Sequence, residues 1–135
     1  MMPDKGAMRT LPAPDITPDT QAFWDAAAAG RLLIKRCGAC GEPHYYPRPL
    51  CPFCLSDDTR WEEAAGTATI YSLSTMRRGA HAPYTLAYVT LDEGPAVLTN
   101  IAADDPDTLA IGQRVRVRFH PSDGGAPYPM FALDD

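Results

Sequence analysis

The sequence predicts a mainly β protein with one short N-terminal helix, a metal-binding ribbon and a small C-terminal barrel of five strands. Three observations predict this fold: four cysteines in two close pairs, a series of short strand-like segments after residue 61, and 14 prolines. That proline content is about twice the ordinary share of roughly 5%, and proline cannot continue a helix. The 135 residues are enough for one barrel core with a small attached module.

A proline-rich stretch over residues 1–16 has no periodic pattern and is predicted to be a flexible arm. The N-terminal helix is predicted over residues 17–30. Thr17 is the expected N-cap and Pro18 suits the first helical position. Apolar residues then recur at helical spacing until Gly30, which we expect to end the helix.

Phe23 and Trp24 stand side by side on this predicted helix. Neighbouring helical residues point about 100° apart, so both rings cannot face one small core. We therefore expect one of them to be partly exposed. Aromatic side chains are enriched at binding hot spots, so this pair is a candidate partner interface.

The four cysteines are Cys37, Cys40, Cys51 and Cys54, in the pattern C-x2-C-x10-C-x2-C within a ribbon predicted over residues 31–60. Disulfides would need an oxidising compartment, to which nothing in the sequence directs the chain. Two tight turns with paired thiolates instead suit a tetrahedral metal ion. Four cysteines fill its coordination shell, which predicts a structural rather than a catalytic metal. Zinc is favoured over iron because nothing else in the sequence indicates electron transfer.

The segment from residue 61 to 135 is predicted to form the barrel. Its alternating apolar and polar residues, separated by turn sequences, predict five strands with a break between the third and the fourth. This arrangement suits a small Greek-key barrel, the OB-fold. A slip in the alternation near Ile70 and Tyr71 predicts a β-bulge in the first strand. The predicted strands cover residues 66–76, 84–91, 96–102, 114–120 and 128–133.

Charge and hydropathy exclude several classes of protein. The net charge is -5, and residues 62–135 carry ten acidic and five basic side chains, which opposes binding to nucleic-acid phosphates. No apolar run approaches the roughly 20 residues that a membrane helix needs. The N-terminal sequence lacks the apolar region of a secretory signal, so a cytoplasmic location is expected.

The order of the motifs resembles the DUF35 family, whose members are OB-fold proteins with a rubredoxin-like zinc ribbon. The resemblance covers roughly residues 17–133. Leu55 stands where the family commonly has glycine, after the second cysteine of the second pair. The motifs that carry the resemblance are Leu-Leu-Ile-Lys-Arg-Cys at 32–37, Pro47-Arg48, Cys51-Pro52-x-Cys54, Gly66-Thr67-x-Thr69, Pro83-Tyr84, Leu91-Asp92-Glu93-Gly94 and Ile111-Gly112-x-x-Val115.

The resemblance implies one structural Zn²⁺ per chain, bound by the four cysteines. It also implies a non-catalytic accessory subunit that docks on a thiolase-like or MaoC-like hydratase enzyme and helps it bind acyl-CoA. Two other functions stay open from the residues alone: a single-stranded nucleic-acid-binding OB-fold protein, and a small iron redox protein.

Candidate ligand contacts lie in the loop between the first two barrel strands, where OB-folds commonly bind ligands. Arg77, Arg78 and His81 could contact the phosphates of coenzyme A, because arginine matches phosphate geometry. The basic ribbon is a second candidate, through Lys35, Arg36 and Arg48.

The remaining ionisable residues predict no catalytic centre. His44 is expected either beside the metal or exposed in a loop, and His120 at the surface. Asp92 and Glu93 are expected to have structural roles in a turn, where Asp is favoured. No cysteine is left over as a nucleophile and no Gly-x-Ser-x-Gly motif occurs.

Overall fold

The computed structural model describes residues 11–78 and 83–134. Within these ranges the chain forms one α-helix, a small three-stranded sheet and a closed five-stranded barrel. No helix of the described residues is long and apolar enough to cross a membrane. In chain order the elements are α1 (Gln21–Ala28), β1 (Leu33–Cys37), β2 (Pro43–His44), β3 (Thr59–Glu63), β4 (Thr67–Met76), β5 (Tyr84–Leu91), β6 (Ala96–Ile101), a 3₁₀ turn (Pro106–Thr108), β7 (Arg114–His120) and β8 (Tyr128–Leu133).

The helix starts later than predicted. Thr20, not Thr17, occupies the N-cap position, because a turn precedes the helix. In that turn the Thr17 N–H donates to Thr20 Oγ1, and the Thr20 N–H donates to the Thr17 carbonyl, both at 3.0 Å. Gly30 ends the helix as predicted: it has a φ of 81°, and its N–H donates to the Ala27 carbonyl at 3.0 Å.

The ribbon sheet has β1 at its centre, paired antiparallel with β2 on one side and β3 on the other. Strand β3 runs across the boundary predicted at residue 60, so the sheet of the ribbon extends to Glu63. Only three residues then separate β3 from β4. The ribbon therefore leads almost directly into the barrel.

The barrel has the strand order β4-β5-β6-β8-β7 and closes through pairing of β7 with β4. All its neighbours are antiparallel except β6 and β8, whose parallel contact is the Ile101–Phe131 pair. The pairing of β4 with β5 shifts between Ile70 and Ser72, which confirms the predicted bulge. Each barrel strand lies within one residue of its predicted bounds.

One apolar core joins the three parts of the molecule. The buried barrel residues Ile70, Val89 and Phe131 belong to the same cluster as Phe23 from α1 and Ile34 from β1. Burial of apolar surface is the main stabilising term for such a core and contributes about 25 cal/mol per Å². The shared core therefore holds the ribbon against the barrel.

Candidate metal centre and docking surfaces

The four cysteine sulfurs lie together at the tip of the ribbon, all within 4.8 Å of one another. Cys37 Sγ is 3.6 Å from Cys54 Sγ, and Cys40 Sγ is 3.7 Å from Cys51 Sγ. A disulfide would need about 2.05 Å. A tetrahedral ion with bonds of about 2.3 Å to sulfur separates its sulfurs by about 3.8 Å, so these positions fit a metal site.

The two cysteine turns have the same backbone geometry. The Gly41 N–H donates to the Cys37 carbonyl, and the Leu55 N–H donates to the Cys51 carbonyl, both at 2.9 Å. Gly41 has a φ of 80° and Leu55 a φ of 65°. The second turn therefore forms although it lacks the glycine, because Leu55 adopts the left-handed conformation itself. We call residues 37–41 the first knuckle and residues 51–55 the second knuckle.

Backbone N–H groups point at two of the four sulfurs at hydrogen-bond distance, those of Cys37 and Cys51. The Ala39 and Cys40 N–H groups approach Cys37 Sγ at 3.3 and 3.4 Å, and the Phe53 N–H approaches Cys51 Sγ at 3.4 Å. The Cys40 N–H is the largest cause that lowers the pKa of Cys37 to about 6. The backbone also lowers the pKa of Cys40 and Cys54, but burial and the neighbouring Cys37 oppose further negative charge, so the pKa of Cys40 is raised to about 12 and that of Cys54 is also raised. A bound cation would offset this repulsion and hold all four cysteines as thiolates, the metal-binding form.

Two of the basic ribbon residues are held by contacts inside the ribbon. Lys35 is buried, and its Nζ donates to the Arg48 carbonyl at 3.2 Å and to Thr59 Oγ1 at 3.3 Å. Arg36 donates to Glu62 at 2.9 Å and to the Gly41 carbonyl at 2.8 Å. These contacts favour structural roles for Lys35 and Arg36. Arg48 is exposed, so it is better placed for a phosphate.

The predicted anion loop is only partly described. Arg77 Nη2 donates to Asp107 Oδ1 at 2.5 Å, which offsets part of its charge. Arg78 is exposed, whereas His81 lies outside the described residues. A cavity of about 560 Å³ opens near this end of the barrel, and its lining includes Asp104 and Asp105. These carboxylates would repel phosphate.

Both described histidines are less exposed than expected. His44 on β2 is buried, so it is not an exposed loop residue, and burial, Lys35 and Arg48 all lower its pKa. His120 is half-buried rather than at the surface, and burial lowers its pKa. Both His44 nitrogens and His120 Nε2 lack hydrogen-bond partners among the described residues. Their burial follows from their positions in β2 and at the end of β7.

The acidic pair after β5 has structural contacts, as predicted. Asp92 accepts two hydrogen bonds from Arg114, at 2.7 and 2.8 Å, and one from Thr67. The Arg114 guanidinium is the largest cause that lowers the pKa of Asp92 to about 2. Glu93 accepts the Ala65 N–H at 2.9 Å. The pair thereby ties the β5–β6 turn to β4 and β7.

Phe23 and Trp24 differ in exposure, as expected of neighbours on a helix. Phe23 is buried and Trp24 is half-buried. Their rings meet edge to face at 5.0 Å, and Trp24 also meets Tyr128 at 5.5 Å. This aromatic cluster borders an open cavity of about 450 Å³ that also contacts Tyr45. Of the two predicted interface residues, only Trp24 has surface to offer a partner.

The structure also exposes apolar side chains that the sequence analysis did not single out. Tyr71, Tyr88 and Leu98 are exposed on adjacent strands of the barrel, and we call this surface the barrel face. Strands β4, β5 and β6 contain no charged residue. That absence of charge across three strands is the sequence signal that could have revealed the face. A second exposed apolar group lies on the ribbon, at Tyr46, Leu50, Phe53 and Leu55.

Comparisons with known proteins agree with this architecture. Residues 24–60 match the family model for the ChsH2 rubredoxin-like zinc ribbon domain, and residues 61–120 match the ChsH2 C-terminal OB-fold domain. A DUF35 domain-containing scaffold protein of Methanothermobacter thermautotrophicus is 32% identical over 94 residues, which cover 65% of this chain and 71% of that protein. The chain belongs to the DUF35 family.

Other relatives of this DUF35 chain are subunits of enzymes. A probable enoyl-CoA hydratase alpha subunit of Thermomonospora curvata is 36% identical over 124 residues. A 3-oxo-4,17-pregnadiene-20-carboxyl-CoA hydratase alpha subunit of Mycobacterium tuberculosis is 29% identical over 122 residues. The matches cover 89% and 87% of this chain but only 39% of either relative. The DUF35 chain thus spans about two-fifths of their length.

Two solved structures share the fold. The structure described as Ltp2-ChsH2(DUF35) aldolase matches with a TM-score of 0.78 and 35% identity, over 89% of this chain and 98% of that one. A DUF35 protein of unknown function from Sulfolobus solfataricus matches with a TM-score of 0.66 and 13% identity, over 87% of this chain and 86% of that one. The second match supports the fold alone.

Proposed function

We propose that this DUF35 chain is a non-catalytic, zinc-binding accessory subunit that docks on a thiolase-like or acyl-CoA hydratase-like enzyme and helps it bind acyl-CoA. The observation that carries the proposal is the match to 98% of the DUF35 chain in the Ltp2-ChsH2(DUF35) aldolase structure. The relatives described as hydratase alpha subunits and as scaffold proteins support the same role.

The barrel face is the best candidate for the principal docking surface. Charged residues are depleted at the centres of protein interfaces and aromatic residues are enriched there. The barrel face has both properties, because Tyr71 and Tyr88 are exposed on strands without charged residues. Single-stranded nucleic acid would instead need cations beside the aromatics, so this surface does not favour the alternative function.

Zinc is the metal that fits the cysteine site best. Four thiolates around a tetrahedral centre are typical of structural zinc, and they leave no open coordination position for a substrate. The ion would cross-link Cys37 and Cys40 of the first knuckle to Cys51 and Cys54 of the second. Its contribution is therefore to the folding of the ribbon.

The acyl-CoA ligand is proposed to lie in a cleft shared with the enzyme, with Arg77 and Arg78 near its phosphates. Arg78 is exposed, and among the described residues Arg77 has one carboxylate contact, Asp107. Partner groups could complete a site that buries most of such a large ligand.

The test is reconstitution with a thiolase-like or acyl-CoA hydratase-like subunit from the same organism. Size-exclusion chromatography of the mixed proteins at about 10 μM should show a stable complex, as expected for an interface of standard size. Replacing Tyr71 and Tyr88 with Ser should weaken it at least tenfold. Ile111→Ser is the matched control, since Ile111 is equally exposed but lies outside the barrel face.

Failure of the wild-type chain to bind this enzyme would contradict the proposed function. Retention on single-stranded DNA at about 0.1 M salt, lost in the Tyr71 and Tyr88 variants, would favour the nucleic-acid alternative.

A further inference from the structure

The second knuckle carries an exposed apolar surface at the tip of the ribbon. Residues 49–55 contain no Lys, Arg, Asp or Glu, and only Cys51 among them is buried. Phe53 is 65% exposed and Leu55 is 72% exposed, with Leu50 also exposed beside them. Scattered single apolar residues need no explanation, but three exposed ones within six residues of one turn are typical of an interaction surface. We call Leu50, Phe53 and Leu55 the apolar knuckle.

The first knuckle shows that metal binding does not require these side chains. Both knuckles make the same turn with the same hydrogen bond at 2.9 Å. The first knuckle has Ala39 and Gly41 where the second has Phe53 and Leu55. Small residues therefore suffice to place the thiolates. The presence of large apolar side chains at Phe53 and Leu55 needs an explanation other than metal binding.

Leu55 also has an energetic cost in the isolated chain. Its φ of 65° lies in the left-handed region, which glycine adopts freely and a leucine does not. Such strain persists only where the surrounding structure fixes the backbone, as the hydrogen bond from the Leu55 N–H to the Cys51 carbonyl does here. The Leu55 side chain is mostly in water, so the free chain provides little burial to offset it. A contact outside the chain would explain why leucine occupies this position.

The charge of the knuckle indicates what covers it. A second copy is a poor fit, because four thiolates around a divalent ion leave two excess negative charges at each tip, and two such tips would repel each other. An anionic membrane is also a poor fit: Arg48 and Arg60 near the tip are matched by Asp57 and Asp58, so no excess positive charge attracts it. An apolar tip without excess positive charge is complementary to an apolar depression on another protein.

We propose that the apolar knuckle inserts into an apolar depression on the enzyme subunit, as an anchor separate from the barrel face. This inference rests on the proposed function, which supplies the partner. The metal would fix the knuckle in its docking conformation, because Cys51 and Cys54 flank Phe53 and the Phe53 N–H contacts Cys51 Sγ at 3.4 Å. Metal binding would then stabilise the conformation of the docking surface.

The experiment measures affinity, metal content and melting temperature together. Wild type, Phe53→Ala and Leu55→Gly are titrated calorimetrically into the purified enzyme subunit that binds this chain in the reconstitution. We expect each variant to raise the Kd at least tenfold while keeping about one metal per chain. Leu55→Gly should also keep or raise the Tm of the free chain, because glycine relieves the left-handed strain. Ala39→Gly, at the equivalent position of the first knuckle, should leave the Kd unchanged.

The opposed effects of Leu55→Gly on affinity and on Tm distinguish docking from a merely structural role. Wild-type Kd values in both Phe53→Ala and Leu55→Gly would overturn this inference while leaving the proposed function intact. Absence of binding by the wild type would overturn the proposed function and this inference with it. A homodimer of the wild-type chain that Phe53→Ala dissociates would also overturn it, since the knuckle would then bind a second copy.

Discussion

At the residue scale, the metal site depends on ligands from both knuckles. Cys40 Sγ of the first knuckle and Cys51 Sγ of the second are 3.7 Å apart, so losing either ligand separates the two turns. We expect Cys40→Ser to reduce bound metal from about one to below about 0.2 ions per chain and to unfold the ribbon. Structural zinc contributes about 10–16 kcal/mol to small zinc-dependent folds. Elemental analysis of protein purified without chelator checks this, and a variant with full metal content contradicts it.

His44 gives the ribbon a specific dependence on pH. Its pKa is lowered, so between that value and about 6.5 the unfolded chain holds a proton that the folded chain does not. Stability should therefore fall as the pH drops below about 6.5. In His44→Leu this loss should be smaller, by no more than about 1.4 kcal/mol per pH unit, the limit for one proton.

Urea unfolding of wild type and His44→Leu at pH 7 and at pH 5 measures this difference. An equal loss of stability in both proteins would show that other groups, such as the metal thiolates, cause the acid sensitivity.

Residue-scale features differ in how far the sequence specifies them. The four ligands follow from cysteine spacing, because two tight turns can converge on one ion. The burial of Lys35 does not follow, since it depends on the Arg48 carbonyl and Thr59, which are distant in sequence. The exposure of Phe53 does not follow from the sequence either. It depends on which residues lie near Phe53 in the folded ribbon.

At the element scale, predictability follows the strength of the local pattern. β7 alternates Arg and apolar residues from Arg114 to Phe119, and its observed bounds are the predicted ones. The sequence does not predict β3, because Thr59–Glu63 has polar and charged residues with one tryptophan and no apolar alternation. The strand forms through its pairing with β1. β2 has two residues, too few for any period. The predicted start of α1 is wrong, because Thr17 lies in a turn before the helix and Thr20 is the N-cap.

Strand β8 joins the two edges of the barrel, and Phe131 is its central side chain. Phe131 is 1% exposed, pairs with Ile101 of β6 and Val117 of β7, and accepts the Ala102 N–H at 2.7 Å. Phe131→Ala should lower the free energy of unfolding by about 3–5 kcal/mol, because a large buried ring is lost and a cavity forms. Tyr71→Ala, on the exposed barrel face, should change it by less than about 0.5 kcal/mol.

Urea denaturation followed by tryptophan fluorescence gives both free energies. Similar values for the two variants would mean that β8 does not close the barrel core.

At the scale of the whole molecule, the shared core packs the ribbon, the helix and the barrel against one another. Phe23 of α1 and Ile34 of β1 lie in the same apolar cluster as the barrel residues, so the ribbon sheet is held against the barrel. The barrel face and the apolar knuckle can then meet one partner together. Two anchors on parts that pack against one another lose less conformational freedom on binding than anchors on separate mobile parts.

The whole chain is expected to bind acyl-CoA weakly on its own and well in the complex. The two cavities have volumes of about 450 and 560 Å³, but no Lys or Arg among the described residues lines either of them. Coenzyme A carries several phosphate charges, which need cationic hydrogen-bond donors. Arg77 is paired with Asp107, so the free chain offers few such contacts. An enzyme surface beside Arg77 and Arg78 could supply the rest.

Calorimetric titration of an acyl-CoA into the free chain and into the complex measures the difference. We expect no saturation of the free chain below about 1 mM and micromolar binding by the complex. Arg77→Ala/Arg78→Ala should weaken binding by the complex about tenfold or more, since each lost charge-assisted hydrogen bond costs about 1.5–3 kcal/mol. Micromolar affinity of the free chain would contradict the shared cleft. An unchanged affinity of the double-variant complex would remove these arginines from the site, and the exposed Arg48 of the ribbon would become the next residue to replace.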